Sequence, residues 1–222
     1  MSDVINELNQ IPNIAQFIAT RIEQMILTGE IAPNSRLVQN EIADQFGVSR
    51  LPVRDAFAIL HKKNLIKQLP RKGMVVRNID KKEVDNLFEH RLLIEPYAIK
   101  KSLPHFDEKM IQEASDLIDQ QSQIPEEDII PLLDIDEAFH SHLWKCFEND
   151  EIIESLASVW RRIKVVRALA RKIPNWKDKS VKGHRDILES IKEQDYNTAI
   201  KRLEKGIKRS QKEIIDNIEF NN

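Results

Sequence analysis

The run Phe46-Gly47-Val48-Ser49-Arg50-Leu51-Pro52 most narrows the folds open to this 222-residue chain. Gly47 stops a short apolar-periodic segment at about residues 40–46. Ser49 is placed to cap a second segment, and Pro52 sits near its start, where a missing N–H costs little. That second helix buries Val53, Phe57 and Leu60 and turns Arg50, Arg54 and Lys62 outward. Two short helices joined by a tight glycine turn, the second one basic, make a helix-turn-helix. Upstream, Ile14, Phe17, Ile18, Ile22, Met25 and Ile26 recur at helical spacing; Gly29 ends that helix, and Pro33-Asn34 forms a turn. Downstream, the strand-like runs 65–69 and 74–77 flank Pro70-Arg71-Lys72-Gly73, a hairpin with a basic tip.

Charge divides unevenly along the chain. Residues 50–77 hold Arg50, Arg54, Lys62, Lys63, Lys67, Arg71, Lys72 and Arg77 against Asp55 alone, inside a protein of net charge −2. A basic helix and a basic hairpin together suit the major groove and adjoining backbone of a duplex. With 41% apolar and 32% charged residues, the rest of the composition describes a helix-rich globular protein. No apolar run approaches the ~20 residues of a membrane span. The first residues lack the basic start and apolar core of a secretory signal. The single cysteine, Cys146, reads as a small buried hydrophobe and suits a reducing cytoplasm.

The stretch from Ile18 to Val76 resembles the winged helix of GntR-type transcription regulators, with GVSRLPVRDAFAIL close to that family's recognition-helix signature. The resemblance implies that Arg36, Arg50 and Arg54 contact an operator, that Ser49 helps to position the backbone, and that Gly73 lets the wing, with Arg71 and Lys72, approach it. Arg36 reads as a loop residue before the second helix. Two positions depart from the family pattern: Asn34 stands where glycine is usual, and Gln39 where an acidic residue often begins the second helix. Asparagine tolerates positive φ better than most residues.

Beyond residue 80 the apolar spacing predicts helices at about 81–101, 107–121, 126–147, 151–171, 179–193 and 196–218, broken at Pro104, Pro125 and Pro174. The expected organisation is a DNA-binding winged helix-turn-helix at 1–78 and an all-α bundle at 79–222, a mainly α protein. In the segment DIDEAFHSHLWKCF, Asp136 and His140 differ by about 40° on an ideal helix, and Phe139, Leu143 and Phe147 lie within about 60° of Asp136. The pair therefore faces inward, while His142 points about 120° away and toward the surface. His184 shares its face with Ile187, Leu188 and Ile191. A buried carboxylate needs a partner. Spacing leaves two readings open, a hydrogen-bonded Asp–His cluster without metal or a divalent-metal site of O and N ligands.

EHRLLIEPYAI, DEAFH and GHRDILESIKEQDYNTAIKRL are similar to segments of the FCD domain, the effector-binding and dimerisation module of one GntR subgroup. The resemblance implies that Asp136, His140 and His184 are three of four ligands to a metal of the zinc, nickel or manganese type. The fourth ligand is a histidine in the family, and Gly206 stands there. Of five glycines, Gly29, Gly47, Gly73 and Gly183 read as turn or helix-end residues, and Gly206 as the one that interrupts a helix. Three outcomes follow: three protein ligands completed by water or effector, weaker binding, or a metal-free pocket that Gly206 enlarges. Arg91 aligns with an arginine that pairs with an effector carboxylate in FCD relatives, and Arg162 is a further candidate; Arg91 alternatively pairs with Glu95.

The expected function is a homodimeric, cytoplasmic regulator of a near-palindromic operator, controlled by a small organic acid. Repression relieved by effector is the commoner pattern in the family. Two alternatives stand beside it: the same regulator with a metal-free apolar or acyl pocket, and a metal-dependent hydrolase using Asp136, His140 and His184. No separate general base or oxyanion hole accompanies that triad.

Overall fold

The structure, a computed structural model, describes residues 13–170 and 173–217 and divides into two compact units at Asn78/Ile79. The first unit contains α1 (Ile14–Leu27), β1 (Arg36–Leu37), α2 (Gln39–Phe46), α3 (Arg50–Lys62), β2 (Ile66–Leu69) and β3 (Gly73–Val76). Ile18, Ile22 and Ile26 of α1 pack on α3, whose Val53, Ala56, Phe57 and Leu60 are all buried. Gly47 ends α2 at φ 67°, a left-handed conformation that lets its N–H reach the Ala43 carbonyl. Ser49 occupies the N-cap position of α3 without a side-chain cap bond.

The strands form an antiparallel sheet ordered β1-β3-β2. β1 corrects the reading of Arg36 as a loop residue: Arg36 pairs in register with Val75, which ties it to the wing. Two residues are too few for alternation to signal a strand. Entry to β1 depends on Asn34, which takes φ 67° and donates its N–H to the Val76 carbonyl at 3.0 Å. Asparagine thus fills a positive-φ position at little cost.

The second unit is helical: α4 (Lys81–Ser102), a 3-10 turn (Leu103–His105), α5 (Glu108–Gln123), α6 (Ile129–Leu143), α7 (Asp150–Leu169), α8 (Trp176–Lys192) and α9 (Tyr196–Asn217). Asp80, Asp107 and Asn149 cap α4, α5 and α7, each accepting from the backbone N–H three residues on. α9 packs on both α4 and α8, α5 on α6 and α8, and α7 on α4 and α6. The core runs through Phe88, Ile99, Leu132, Phe139, Leu156, Trp160, Leu188, Leu203 and Ile214.

Three details differ from expectation. α6 stops at Leu143 rather than near residue 147, so Cys146 and Phe147 lie beyond it; Cys146 is half-buried, with its N–H on Ser102 Oγ at 3.1 Å. His142 is off the inner face but not at the surface: its Nε2 bonds the Met110 carbonyl at 2.8 Å, and its ring meets Phe106 edge-on. Gly183 lies inside α8 and not at an end of it. The helix starts at Trp176 rather than at residue 179, because Lys177-Asp178-Lys179 carries no apolar signal.

Candidate functional site

In the first unit the surface built by α2, α3 and the β2–β3 hairpin leaves Arg36, Ser49, Arg50, Arg54, Arg71, Lys72 and Gly73 exposed. Among the described residues Arg54 contacts only Asp55, at 3.5 Å, and its side chain is 66% exposed, so its guanidinium is available to bond elsewhere. Gly73 has φ 75°, and a Cβ there would meet nothing within 4 Å. Backbone conformation, not crowding within the chain, is what requires glycine at the wing tip. Leu51 is also exposed, a large apolar side chain between Arg50 and Arg54.

The second unit buries a polar cluster to which six helices contribute. Asp136 and His140 descend from α6 and His184 from α8, as their angular positions predict; all three are at most 5% exposed. Their ligand-capable atoms lie within 4.8 Å of one another. α4 adds Arg91 and Glu95, α5 adds Gln121, α7 adds Trp160 and Arg167, and α8 adds Ser180 one turn before His184.

Two ion pairs neutralise the cluster. Arg167 Nη1 bonds Asp136 Oδ2, and Arg91 Nε bonds Glu95 Oε2. Ser180 Oγ donates to Asp136 Oδ1 at 2.8 Å, and Arg167 Nη2 donates to Ser210 Oγ of α9 at 3.0 Å. Burial by itself would raise both carboxyl pKa values. The Arg91 charge, with hydrogen bonds from His140 and Arg91, outweighs it at Glu95 and holds that group at about 2. The Arg167 charge, with the Ser180 hydrogen bond, keeps Asp136 well below the usual carboxylate range.

The histidine tautomers follow from their partners. His140 Nδ1 lies 2.6 Å from Glu95 Oε1, an ionised oxygen that can only accept, so Nδ1 carries the proton. His184 Nδ1 donates to Gln121 Oε1 at 2.9 Å. Turning the Gln121 amide over would set its oxygen against Asp136 Oδ1, which Nε2 now faces at 3.5 Å. In the neutral rings both Nε2 atoms are therefore unprotonated, with Arg91 Nη2 3.4 Å from that of His140 and Ser180 Oγ 3.5 Å from that of His184. The two Nε2 atoms face each other at 3.3 Å, and Asp136 Oδ1 stands 3.4 Å from His184 Nε2. Three acceptors converge with no proton between them: two of the three spacings are close to the ~3.4 Å edges of a tetrahedron with ~2.1 Å bonds to an ion, and all three atoms lie within 4.8 Å of one another. Each histidine is held by a carboxylate or amide behind it, the orienting arrangement typical of metal-bound imidazole.

Beside this cluster is a cavity of about 40 Å³, lined by Arg91, Asp136, His140, Arg167, His184 and Gly206, among others. That is room for about three water-sized groups. A Cβ on Gly206 would meet nothing within 4 Å, so the position usually given to a ligand is open space here. Gly183 lines the same cavity. Arg91 belongs to the site and is also paired with Glu95, so both readings of it hold. Arg162 is not brought to it: its guanidinium reaches Glu83 at 3.0 Å instead. Arg167, Glu95, Gln121 and Ser180 were missed as site residues. Arg167 follows Trp160 and Ile163 at seven and four residues, an inward stripe that carried the signal.

Burial holds His184 down at about 3, against the opposing pull of Asp136. His184, Glu95 and Asp136 all bind protons less readily folded than unfolded. Stability of the metal-free protein is therefore complete above about pH 6.5, the unfolded histidine value, and falls as acidification protonates the unfolded chain first. Melting temperatures measured from pH 8 to 4 in excess chelator should decline below that point. A flat profile would contradict the buried, neutral state of His184.

Comparison with known proteins follows the same division. A family model described as "Bacterial regulatory proteins, gntR family" matches residues 14–76, and one described as "FCD domain" matches residues 86–208. The chain is 26% identical over 195 residues to an uncharacterised HTH-type transcriptional regulator, YdhC, of Bacillus subtilis (strain 168), covering 85% of this chain and 84% of that one. It is 24% identical over 193 residues to the HTH-type transcriptional repressor RspR of Escherichia coli (strain K12), covering 86% and 85%. A crystal structure described as a transcriptional regulator GntR from Rhodococcus sp. RHA1 superposes with a TM-score of 0.76 at 23% identity, over 92% of this chain and 99% of that one.

Proposed function

The chain belongs to the gntR family of bacterial regulatory proteins, in the group that carries an FCD domain, and on that premise we propose that a small organic acid, bound in its helical domain, sets its affinity for a near-palindromic operator. It is a DNA-binding transcription regulator: the family match over residues 14–76 describes regulatory proteins, and the curated relatives are named transcriptional regulators rather than enzymes. The hydrolase alternative is thereby set aside.

The observation that carries the effector reading is the buried cluster: two arginines, two carboxylates and two facing histidines beside a cavity, where a bundle built for stability alone would place apolar side chains. Asp136, His140 and His184 would hold a divalent ion of the zinc, nickel or manganese type, which would supply a fixed positive charge for an effector carboxylate. Arg167 would keep Asp136 ionised, and Arg91 would keep ionised the Glu95 carboxylate that orients His140. Among the described residues, buried Arg91 Nη1 and Arg167 Nε have no hydrogen-bond partner, and a carboxylate in the cavity offers them acceptors.

On the DNA side, Arg50 and Arg54 would read base edges. Arg36, Ser49, Arg71, Lys72 and the Gly73 backbone, all exposed, would follow the phosphates. Binding as a homodimer in the cytoplasm would match a two-fold operator, with repression as the direction. The RspR relative is named a repressor. Effector binding would act by preferring one arrangement of the dimer's DNA-binding heads.

The test is a retardation assay on an operator selected from random DNA, repeated with metal and with acids. A protein that retards no selected duplex would end the regulator reading for this chain. Metal content of untagged protein checks the ion separately: the expected result is about one equivalent, removed by chelation and restored by added zinc or nickel. Gly206→His should then tighten metal binding, because the open space at Gly206 admits a fourth imidazole. Unchanged affinity in that variant would mean that the site does not extend to α9.

A further inference from the structure

Four arginines (Arg91, Arg167, Arg202 and Arg209) and two carboxylates (Asp136 and Glu213) line the cavity. Four of these six charges are already answered: Arg91 by Glu95, Arg167 and Asp136 by each other, and Glu213 by Lys179 at 2.8 Å. Arg202 and Arg209 are left over. Among the described residues neither forms an ion pair. Arg202 Nη1 bonds the Asp186 carbonyl and, at 2.6 Å, Ser190 Oγ; Arg209 Nη2 bonds the Lys179 carbonyl at 3.1 Å. Both reach across from α9 to α8, and all three partner atoms are neutral.

Their placement is as informative as their charge. On α9, Arg202 and Arg209 fall within about 60° of Gly206, one on each side of it and ~10 Å apart along the axis. Opposite them on α8 is Gly183, where an added Cβ would lie 3.5 Å from Arg209 Nη2. Two helical glycines thus face one cavity, between two exposed arginines without a carboxylate. Glycine inside a helix costs ~1 kcal/mol relative to alanine, so each needs a local reason. Access to the cavity supplies one.

We infer that the Gly183–Gly206 gap is the effector entrance and that Arg202 and Arg209 form an outer anion subsite, so that the effector is a small dianion, a dicarboxylate or a phosphorylated acid, rather than a monocarboxylate. This rests on the reading of the inner cluster as the effector centre. The inner end of the ligand accepts from Arg91 Nη1 and Arg167 Nε. The outer end exchanges the carbonyl partners of Arg202 and Arg209 for charge-assisted bonds, which are about twice as strong as neutral ones. An apolar or acyl ligand would leave both guanidinium groups on their neutral α8 partners and draw nothing from them.

Thermal shift decides it, on full-length protein with three- to six-carbon dicarboxylates, each matched with a monocarboxylate of equal length. The expected result is that at least one dicarboxylate raises the melting temperature by several degrees and its monocarboxylate partner does not. In the Arg202→Gln/Arg209→Gln variant that difference disappears, while metal content and the unliganded melting temperature stay as in the parent. Gly206→Ala, whose new methyl has open space, should melt no lower than the parent without ligand and show a reduced dicarboxylate shift. The inference is overturned if no dicarboxylate shifts the protein, if matched monocarboxylates shift it equally, or if the double variant retains the preference. A preparation that responds to dicarboxylates but retards no DNA would overturn the regulator reading and leave this one standing.

Discussion

Asp136→Ala should lower the stability of the helical domain by about 3–5 kcal/mol. Asp136 is 1% exposed and receives a hydrogen bond from Ser180 and an ion pair from Arg167. Alanine at this position leaves the Arg167 guanidinium buried with only its bond to Ser210 Oγ and two aromatic faces, those of Trp160 and Trp176. Uncompensated burial of that charge dominates the loss. It outweighs the pair's net contribution, because the attraction in the intact pair is largely offset by desolvation. Asp136→Asn should be milder, since the amide keeps an oxygen for Arg167 to bond. Urea unfolding of the three proteins in chelator separates this effect from any contribution of metal. A loss under about 1 kcal/mol for the alanine variant would mean that Arg167 finds water on truncation and that the cluster is wetter than its burial implies.

Arg54→Ala should leave stability unchanged and reduce operator affinity by about 10- to 100-fold, the range of one bidentate base contact. Its side chain is exposed and its one ion pair is a 3.5 Å contact with the adjacent Asp55, which contributes little at the surface. Lys72→Ala makes the contrast. A wing lysine on phosphate should weaken binding to all sequences alike and lower the salt slope by ~1. Fluorescence anisotropy on the selected operator and on a scrambled duplex, at several salt concentrations, distinguishes the two. Equal losses on both duplexes for Arg54→Ala would assign it to the backbone instead of the bases.

Much of this protein was legible before its fold was known. The winged helix-turn-helix followed from Gly47, Ser49, Pro52 and the basic hairpin, because turns and helix stops are set by local backbone preferences. The inward direction of Asp136, His140 and His184 followed from helical periodicity, which is likewise local. Misreadings arose where local signals are short or weak. β1 has two residues, the start of α8 is hidden among lysines, and α6 ends four residues before its apolar pattern does. Gly183 was assigned to a helix end for the second of these reasons.

Partner choice was not legible. Arg162 and Arg167 share α7, about 140° apart on an ideal helix, and only the tertiary structure sends one to Glu83 and the other to Asp136. The same holds for Gln121 and Glu95, whose hydrogen bonds to His184 and His140 fix the two tautomers and leave both Nε2 atoms unprotonated. Gly206 shows the division most plainly. By itself the sequence determined that a ligand side chain is missing there, since that depends on one residue's identity. Only the packing of α8 against α9 decided what the omission does, opening space beside the cluster between Arg202 and Arg209. Periodicity specifies the face a residue occupies on its own helix; which charge it meets depends on how separate helices pack, and that is a property of the whole fold.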